Sequence, residues 1–306
     1  MKKSSIILKI SLVMAICLFA CLITACGDKV VTTTYEITNE FENIKVDVDT
    51  VDVEFLLTEG KCKVECTESK EGKYVAEVIG TELRVRNASS GGFVIGLGLG
   101  VGKEKIKVYL PNKEYKNIVA MSDTGKLDIK DVTCKAVDFD TDTGNIAVKN
   151  VQCNRVVLDT DTGYMSVEKT TCKALDVESD TGDLMVKDSS TGMVIIALDT
   201  GKTTFNNVTC ESVDIDVDTG DVNLNDVIAS GKFDINTDTG CVNFKSCDAG
   251  EVFVKTNTGD VKGSFLTDKI IFATTDTGSV NIPKLTSGTR CEITTDTGDI
   301  VITINS

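Results

Sequence analysis

Asp-Thr-Gly is a tripeptide with chemical potential, and this chain carries it at a fixed interval. It ends at Gly125, Gly144, Gly163, Gly182, Gly201, Gly220, Gly240, Gly278 and Gly298, with an Asn-Thr-Gly variant ending at Gly259. An aspartic protease needs two such carboxylates side by side sharing one proton. Ten copies spaced 19 or 20 residues apart cannot form one dyad, so protease chemistry is excluded. A cation column is the second chemical reading. Asp123, Asp142, Asp161, Asp180, Asp199, Asp218, Asp238, Asp276 and Asp296 would stack along one line if the repeats stack. Like charges about 5 Å apart repel by about 1 kcal/mol in water, and calcium between carboxylates would relieve that. Against it, one Asp per repeat supplies few ligands, and the repeat lacks the Gly-Gly-x-Gly-x-Asp pattern of calcium-binding β-helices. The third reading is structural. Asp accepts from the backbone two residues on, Gly takes a positive-φ position that closes a turn, and Thr suits a pleated surface.

Little else in the composition supports catalysis. Among 306 residues there is no His, the commonest general base and metal ligand. The formal charge is −15, so the chain lacks the basic footprint that nucleic-acid binding requires. Cys134, Cys153, Cys172 and Cys210 each fall nine residues after their Gly, with Thr191 filling the fourth place of that register. They form a ladder of small apolar thiols rather than a metal site, because no Cys-x-x-Cys spacing accompanies them. Stacked in register, they also present poor disulfide geometry. Cys62 and Cys66 stand on one face of a strand, too far apart to bond to each other.

The elements that carry the tripeptide are strands. Two residues past Gly stand apolar residues such as Leu127, Ile146, Leu184 and Val222, and four past it Ile129, Val148, Val186 and Leu224, with Asp128 and Asn223 between. This period-2 alternation marks a half-buried strand. A second strand precedes the next turn, as in Val137 and Phe139 or Val156 and Leu158. Such a unit is too small to bury its apolar face alone, so stacking in register makes an all-β solenoid. Ten rungs about 4.8 Å apart give a rod of roughly 50 Å.

The first 25 residues read as a targeting signal. Lys2 and Lys3 precede an apolar run from Ile6 to Ile23, then Thr24-Ala25-Cys26. This resembles a bacterial lipobox, which implies cleavage before Cys26 and a lipid on its sulfur. Residues 26–43 are polar and read as a tether. Residues 44–110 read as a degenerate first rung, with Val51 in the place of Gly, followed by β strands that cap the rod; 111–306 is the repeat solenoid. The Gly-rich apolar stretch from Gly91 to Gly102 reads as a hairpin packed on that cap. The C-terminal strand Ile300–Ser306 reads as an uncapped end, open to end-to-end self-association.

Val108-Tyr109-Leu110-Pro111, then Ile118–Ser122 and the Asp-Thr-Gly-x-Leu-x-Ile rungs, resemble the bacterial "putative adhesin" or DUF4097 family over roughly residues 40–306. The resemblance implies a β-strand-repeat fold, a cell-envelope location and no catalytic residues. With the lipobox, it implies a non-catalytic surface lipoprotein on the extracytoplasmic face of the membrane. It would act as an adhesin or a stress-associated scaffold, with an envelope glycan or protein as partner. A calcium-binding solenoid and a polysaccharide-acting β-helix enzyme are the alternatives. The second needs long loops that build a cleft, and rungs differing by one residue contain none.

Overall fold

The computed structural model describes residues 30–69, 72–88 and 104–305. The leader, Cys26 and the Gly-rich stretch lie outside the described residues. All regular structure described is strand, and the chain coils into a β-solenoid. Each rung is named below by its corner glycine.

The Gly144 rung shows the pattern. Strand Thr133–Thr143 runs up to the corner, Ile146–Lys149 leaves it, and Val151–Cys153 forms a short third side. Parallel pairing is in strict register: Val137 opposes Val156, Phe139 opposes Leu158, and Ile146 opposes Met165. Alternation therefore sends Val137, Phe139, Ile146 and Val148 inward, where all four are buried, as are their counterparts in the neighbouring Gly163 rung, Val156, Leu158, Met165 and Val167. In the rungs from Gly125 to Gly240 the third side turns on a left-handed residue six past the glycine: Asp131, Asn150, Lys169, Asp188, Asn207, Asp226 and Ser246, with φ between 50° and 59°. Asx residues tolerate this region best, and they hold one another in a ladder, Asn150 Nδ2 donating to Asp131 (2.6 Å) and Asn207 Nδ2 to Asp188 (2.8 Å).

The cysteine ladder lies inside the third side. Cys134, Cys153, Cys172 and Cys210 are all free and buried. Burial pushes the Cys210 thiol up to about 12, and the Cys134 sulfur beside Cys153 raises that thiol to about 12 as well. Cys153 and Cys210 are therefore protonated at neutral pH, and the four buried thiols act as packing groups. Cys62 and Cys66 are also free and buried.

Both ends depart from sequential stacking. The first rung, Asn43–Thr50 with Asp52–Thr58, lies between the Gly125 rung and the later strands Glu82–Asn87 and Lys105–Pro111. Antiparallel strands Lys63–Glu68 and Tyr74–Ile79 flank that outer layer. Val31–Glu36 pairs with Lys63–Glu68, and Phe41 is buried, so much of the expected tether is part of the cap. Its sequence is polar but β-branched, Val31-Thr32-Thr33-Thr34, which suits an outer strand. Tyr35 and Tyr74 lock the cap: Tyr35 Oη donates to the Tyr74 carbonyl (2.5 Å) and Tyr74 Oη to Glu104 (2.7 Å).

At the other end the last rung in sequence is not the last in space. Strand Thr289–Thr297 pairs with Val242–Thr258 on one side and with Lys269–Thr277 on the other. Strand Ile300–Ile304 likewise lies between Val261–Phe265 and Val280–Asn281. The expected open C-terminal strand is thus internal, and the Gly278 rung is outermost. Lys269 ties that rung back: its ammonium is fully buried, ion-paired to Asp248 and donating to Thr267 Oγ1 (2.8 Å) and the Ala249 carbonyl (3.0 Å).

In dilute solution, amide exchange of Thr289–Ile304 should be as slow as that of the central rungs. Within Lys269–Thr277, alternate amides should exchange fast. Rapid exchange of Ile300 and Ile302 would show a frayed end and refute this rung order.

Candidate functional site

The Asp-Thr-Gly corner is the most repeated feature of the molecule, and its geometry assigns each residue a role. Most of these glycines do not adopt a positive φ. Among the ten only Gly278 and Gly298 do, at 151° and 157°. The reason for glycine is contact. A Cβ on Gly144 would sit 1.8 Å from the Gly125 carbonyl oxygen, and one on Gly163 1.8 Å from that of Gly144. The same clash recurs up the column at about 2 Å, including Gly298 against Gly259 and Gly278 against Gly298. Val51 can hold the first corner because the strands stacked on its far side, Glu82–Asn87 and Lys105–Pro111, are not joined by such a corner.

The peptide between Gly and the next residue leaves the ladder. The amides on either side stay in it: Gly144 N–H donates to the Thr162 carbonyl and Ile146 N–H to the Tyr164 carbonyl, both at 3.0 Å. The glycine carbonyl turns inward and accepts from a buried Thr hydroxyl of the next rung. Thr160 Oγ1 donates to Gly144 O (3.4 Å), Thr256 to Gly240 O (3.3 Å) and Thr295 to Gly259 O (3.1 Å). The following N–H turns outward and donates to an Asx side chain of the neighbouring rung. Tyr164 N–H finds Asn145 Oδ1 (2.9 Å), Lys202 finds Asp183 (2.8 Å), Cys241 finds Asp221 (2.9 Å) and Asp299 finds Asp260 (2.7 Å). Lys262 and the Asp299 amide together hold the Asp260 carboxyl below its ordinary range.

The corner's working groups are therefore the Thr three residues before Gly and the Asx one after it. The repeat register marks both, since Thr141, Thr160, Thr237, Thr256, Thr275 and Thr295 recur at one place. The Asp of the tripeptide has the other fate. Asp123, Asp142, Asp161, Asp180, Asp199, Asp218, Asp238, Asp276 and Asp296 are all exposed, one per rung. Asp238 accepts from Asn257 Nδ2 (2.8 Å), the residue stacked on it in the next rung, a link along the column rather than an Asx turn. Among the described residues no three Cys, Asp or Glu side chains gather closely enough to hold a metal ion.

The outer face of the strand before the corner adds more acid. Burial, then Asp142, Asp138 and Asp161, raise the Asp140 carboxyl above its ordinary value. Burial, then Asp140 and Glu178, do the same to Asp159. The charge is unevenly spread: residues 117–306 hold 31 acidic and 16 basic side chains, against 16 and 13 in residues 27–116. One shallow concavity interrupts this wall, about 420 Å³, lined by Glu211, Ser212, Ser230, Gly231, Lys232, Gly250 and Glu251. It forms where the 20-residue Gly240 rung shifts register between Ala229 and Lys232. The extra residue makes a dent, not a cleft.

Gly163→Ala should destabilise the fold by about 4 kcal/mol or more, the range of severe backbone clashes. Gly80→Ala, with open space around its Cβ but a φ of 65°, should cost only about 1 kcal/mol. Denaturant titration measures both, and equal effects would refute the close-approach argument.

Asp140→Asn should stabilise at neutral pH and low salt by about 0.5 kcal/mol, since like charges across strands repel. A raised carboxyl pKa means the folded state takes up its proton first. Wild-type stability from this group therefore rises as pH falls through its folded pKa, and the advantage of Asn should vanish there. Added NaCl should raise Tm, and calcium at matched ionic strength should add nothing to it. A calcium shift beyond that of salt would make the Asp column a cation site.

The family model described as Toastrack DUF4097 matches residues 41–197 and 190–306. A crystal structure of a "putative lipid binding protein" from Parabacteroides distasonis is similar at 16% identity and a TM-score of 0.52, covering 76% of this chain and 96% of that one. A "putative adhesin" from Parabacteroides merdae is similar at 12% identity and a TM-score of 0.50, covering 90% and 96%. No curated protein matches the chain by sequence. The structural likeness concerns the fold, and the family model spans nearly every rung: the chain belongs to the Toastrack DUF4097 family.

Proposed function

We propose that this protein is a non-catalytic lipoprotein of the cell envelope, held through Cys26 on the extracytoplasmic face, whose rod serves as an adhesin or envelope scaffold. The observation that carries this reading is the continuity of the ladder. From Gly125 to Gly259 each rung follows the last with at most one residue of slippage, so the outer walls are long, flat and repetitive. Flat repeating walls suit extended partners, such as an envelope glycan or another envelope protein. Among the described residues the concavity at Glu211 and Glu251 is open to solvent and would not exclude water around a reacting bond.

Side-chain chemistry supports the same reading. The sequence has no His, and burial pushes the Cys62 and Cys291 thiols up to about 12, beyond nucleophilic use at neutral pH. The Glu211 and Glu251 carboxylates of the shallow dent lie open to water. The names of the two similar structures, adhesin in one case and lipid-binding protein in the other, accord with a role at the envelope.

Metabolic labelling with a fatty-acid probe tests the anchor. Wild type should be labelled and sediment with membranes, whereas Cys26→Ser should lose the label and leave the membrane fraction. An unlabelled wild type would remove the lipoprotein reading. Binding of the chain to purified envelope polysaccharide, beside a deletion strain scored for surface adhesion, tests the adhesin role; neither binding nor a phenotype would sink it.

A further inference from the structure

The outermost strand of the rod, Lys269–Thr277, is an unguarded sheet edge. Its sequence is Lys-Ile-Ile-Phe-Ala-Thr-Thr-Asp-Thr, nine residues of high β propensity without Pro or Gly. Among the described residues it pairs only with Thr289–Thr297. Gly298 N–H donates to the Thr277 carbonyl (2.9 Å), so Thr277 faces the body of the rod. Hydrogen-bonding direction alternates along a strand. The N–H and C=O groups of Ile270, Phe272, Thr274 and Asp276 therefore face away from the rod.

Natural sheets blunt such edges with outward Lys, with Pro, with bulges or with short strands. The other outer strand of the same rung does so: Val280–Asn281 is two residues long and Pro283 follows it. Lys269–Thr277 is nine residues long with no Pro, and its only charges are the inward Lys269 at one end and the exposed Asp276 near the other. Its one Lys is turned inward and fully buried, bound to Asp248. Phe272 is the most exposed large apolar residue described, at 58%, and Leu266 and Val280 in the same rung are 40% and 42% exposed.

We propose that this edge is a docking surface for a second copy of the chain, the two Lys269–Thr277 strands pairing antiparallel about a two-fold axis. Charge argues for that occupant. The repeat region carries 31 acidic and 16 basic residues, so two copies repel along their sides. Residues 266–288 hold Asp268, Asp276, Lys269 and Lys284, a balanced set. This end is where one copy meets another with least repulsion, and its neutrality gives a strongly basic or acidic partner no advantage. A strand of the same sequence also supplies the donors and acceptors the edge lacks, and each Phe272 gains apolar cover. An isologous contact closes at two copies.

Sedimentation of the full chain in non-ionic detergent should show a monomer–dimer equilibrium that shifts with concentration. Thr274→Pro removes an N–H that has no intrachain acceptor, so it should preserve Tm while weakening dimerisation at least tenfold. Phe272→Lys should do the same. In wild type, amides of Ile270, Phe272, Thr274 and Asp276 should gain protection from exchange as concentration rises, a readout that needs no variant. A wild type that stays monomeric up to about 1 mM, where even the weakest specific contacts form, would overturn the proposal. Persistence of the dimer in both variants, or no added protection at these amides, would overturn it equally.

Discussion

The close approach of one corner glycine to the carbonyl of the rung below sets the rest of this structure. With Gly144 able to accept no Cβ over the Gly125 carbonyl, the two backbones stack at ladder distance through the turn itself. The strands on either side then keep one register over the whole rod. A side chain at that point would spread the corner and slip the pairing, and a slip by one residue sends every buried residue to the surface. The rotated peptide that results would leave a carbonyl and an N–H without partners in each rung. Thr hydroxyls inside satisfy the carbonyl in six rungs, and Asx oxygens outside accept the N–H of a neighbouring rung, as Asn145 does for Tyr164. Unpaired buried backbone groups cost about as much as a lost hydrogen bond, which favours these residue types, although Leu198 and Val217 hold the inner place in two rungs.

Strict register has an electrostatic consequence. Any residue type that recurs at one position becomes a column, and an acidic position becomes a line of like charge. The tripeptide Asp escapes much of the repulsion because it is exposed at the corner, where water screens it. On the wall, burial first and neighbouring like charges second raise the carboxyls of Asp140 and Asp159. Interruption is the counter-measure. Along that row Ala197 and Asn236 replace acid, and opposite-charge pairs such as Arg155 with Asp176 (2.9 Å) and Lys232 with Asp234 (2.6 Å) break up the wall. Each surface pair contributes little alone; spacing the charges matters more.

Much of this was legible in the sequence, because repetition turns local patterns into global structure. The alternation at Leu127 and Ile129, repeated nine times over, allows only a stacked sheet, and the cysteine register predicted a buried ladder correctly. The role of the glycines was misread for a physical reason. A positive φ and a forbidden Cβ leave the same mark in a sequence, and only coordinates separate them. The left-handed corner lay six residues on, at Asp131, Asn150 and Asp188, where the Asx preference was present but less uniform than the glycine. The Thr three before glycine was likewise visible as a column, yet its inward turn depends on where the peptide rotates.

The ends were not legible, and that too has a physical cause. A rung's sequence specifies which residues face inward, not which neighbour it stacks upon, since every rung offers the same ladder. Order then depends on the connections and on what each end must cover. At the first rung, strands from later in the chain lie outside earlier ones; at the last, the final rung slides beneath its predecessor. At the C-terminal end this places Thr289–Thr297 between two partners, so its backbone bonds are made on both sides, whereas Val31–Glu36 at the other end pairs on one side only. A rod stacked in simple sequence would leave its terminal strands with one open side each, the positions most prone to fray. Tucking moves the open side to a strand held at both ends by the chain, and at the C-terminal end it also gives Lys269 its buried contacts with the Asp248 corner. The edge exposed by this arrangement is more rigid than a frayed terminus, and rigidity is what lets an edge present its unpaired groups in the straight, ordered line that another strand can meet.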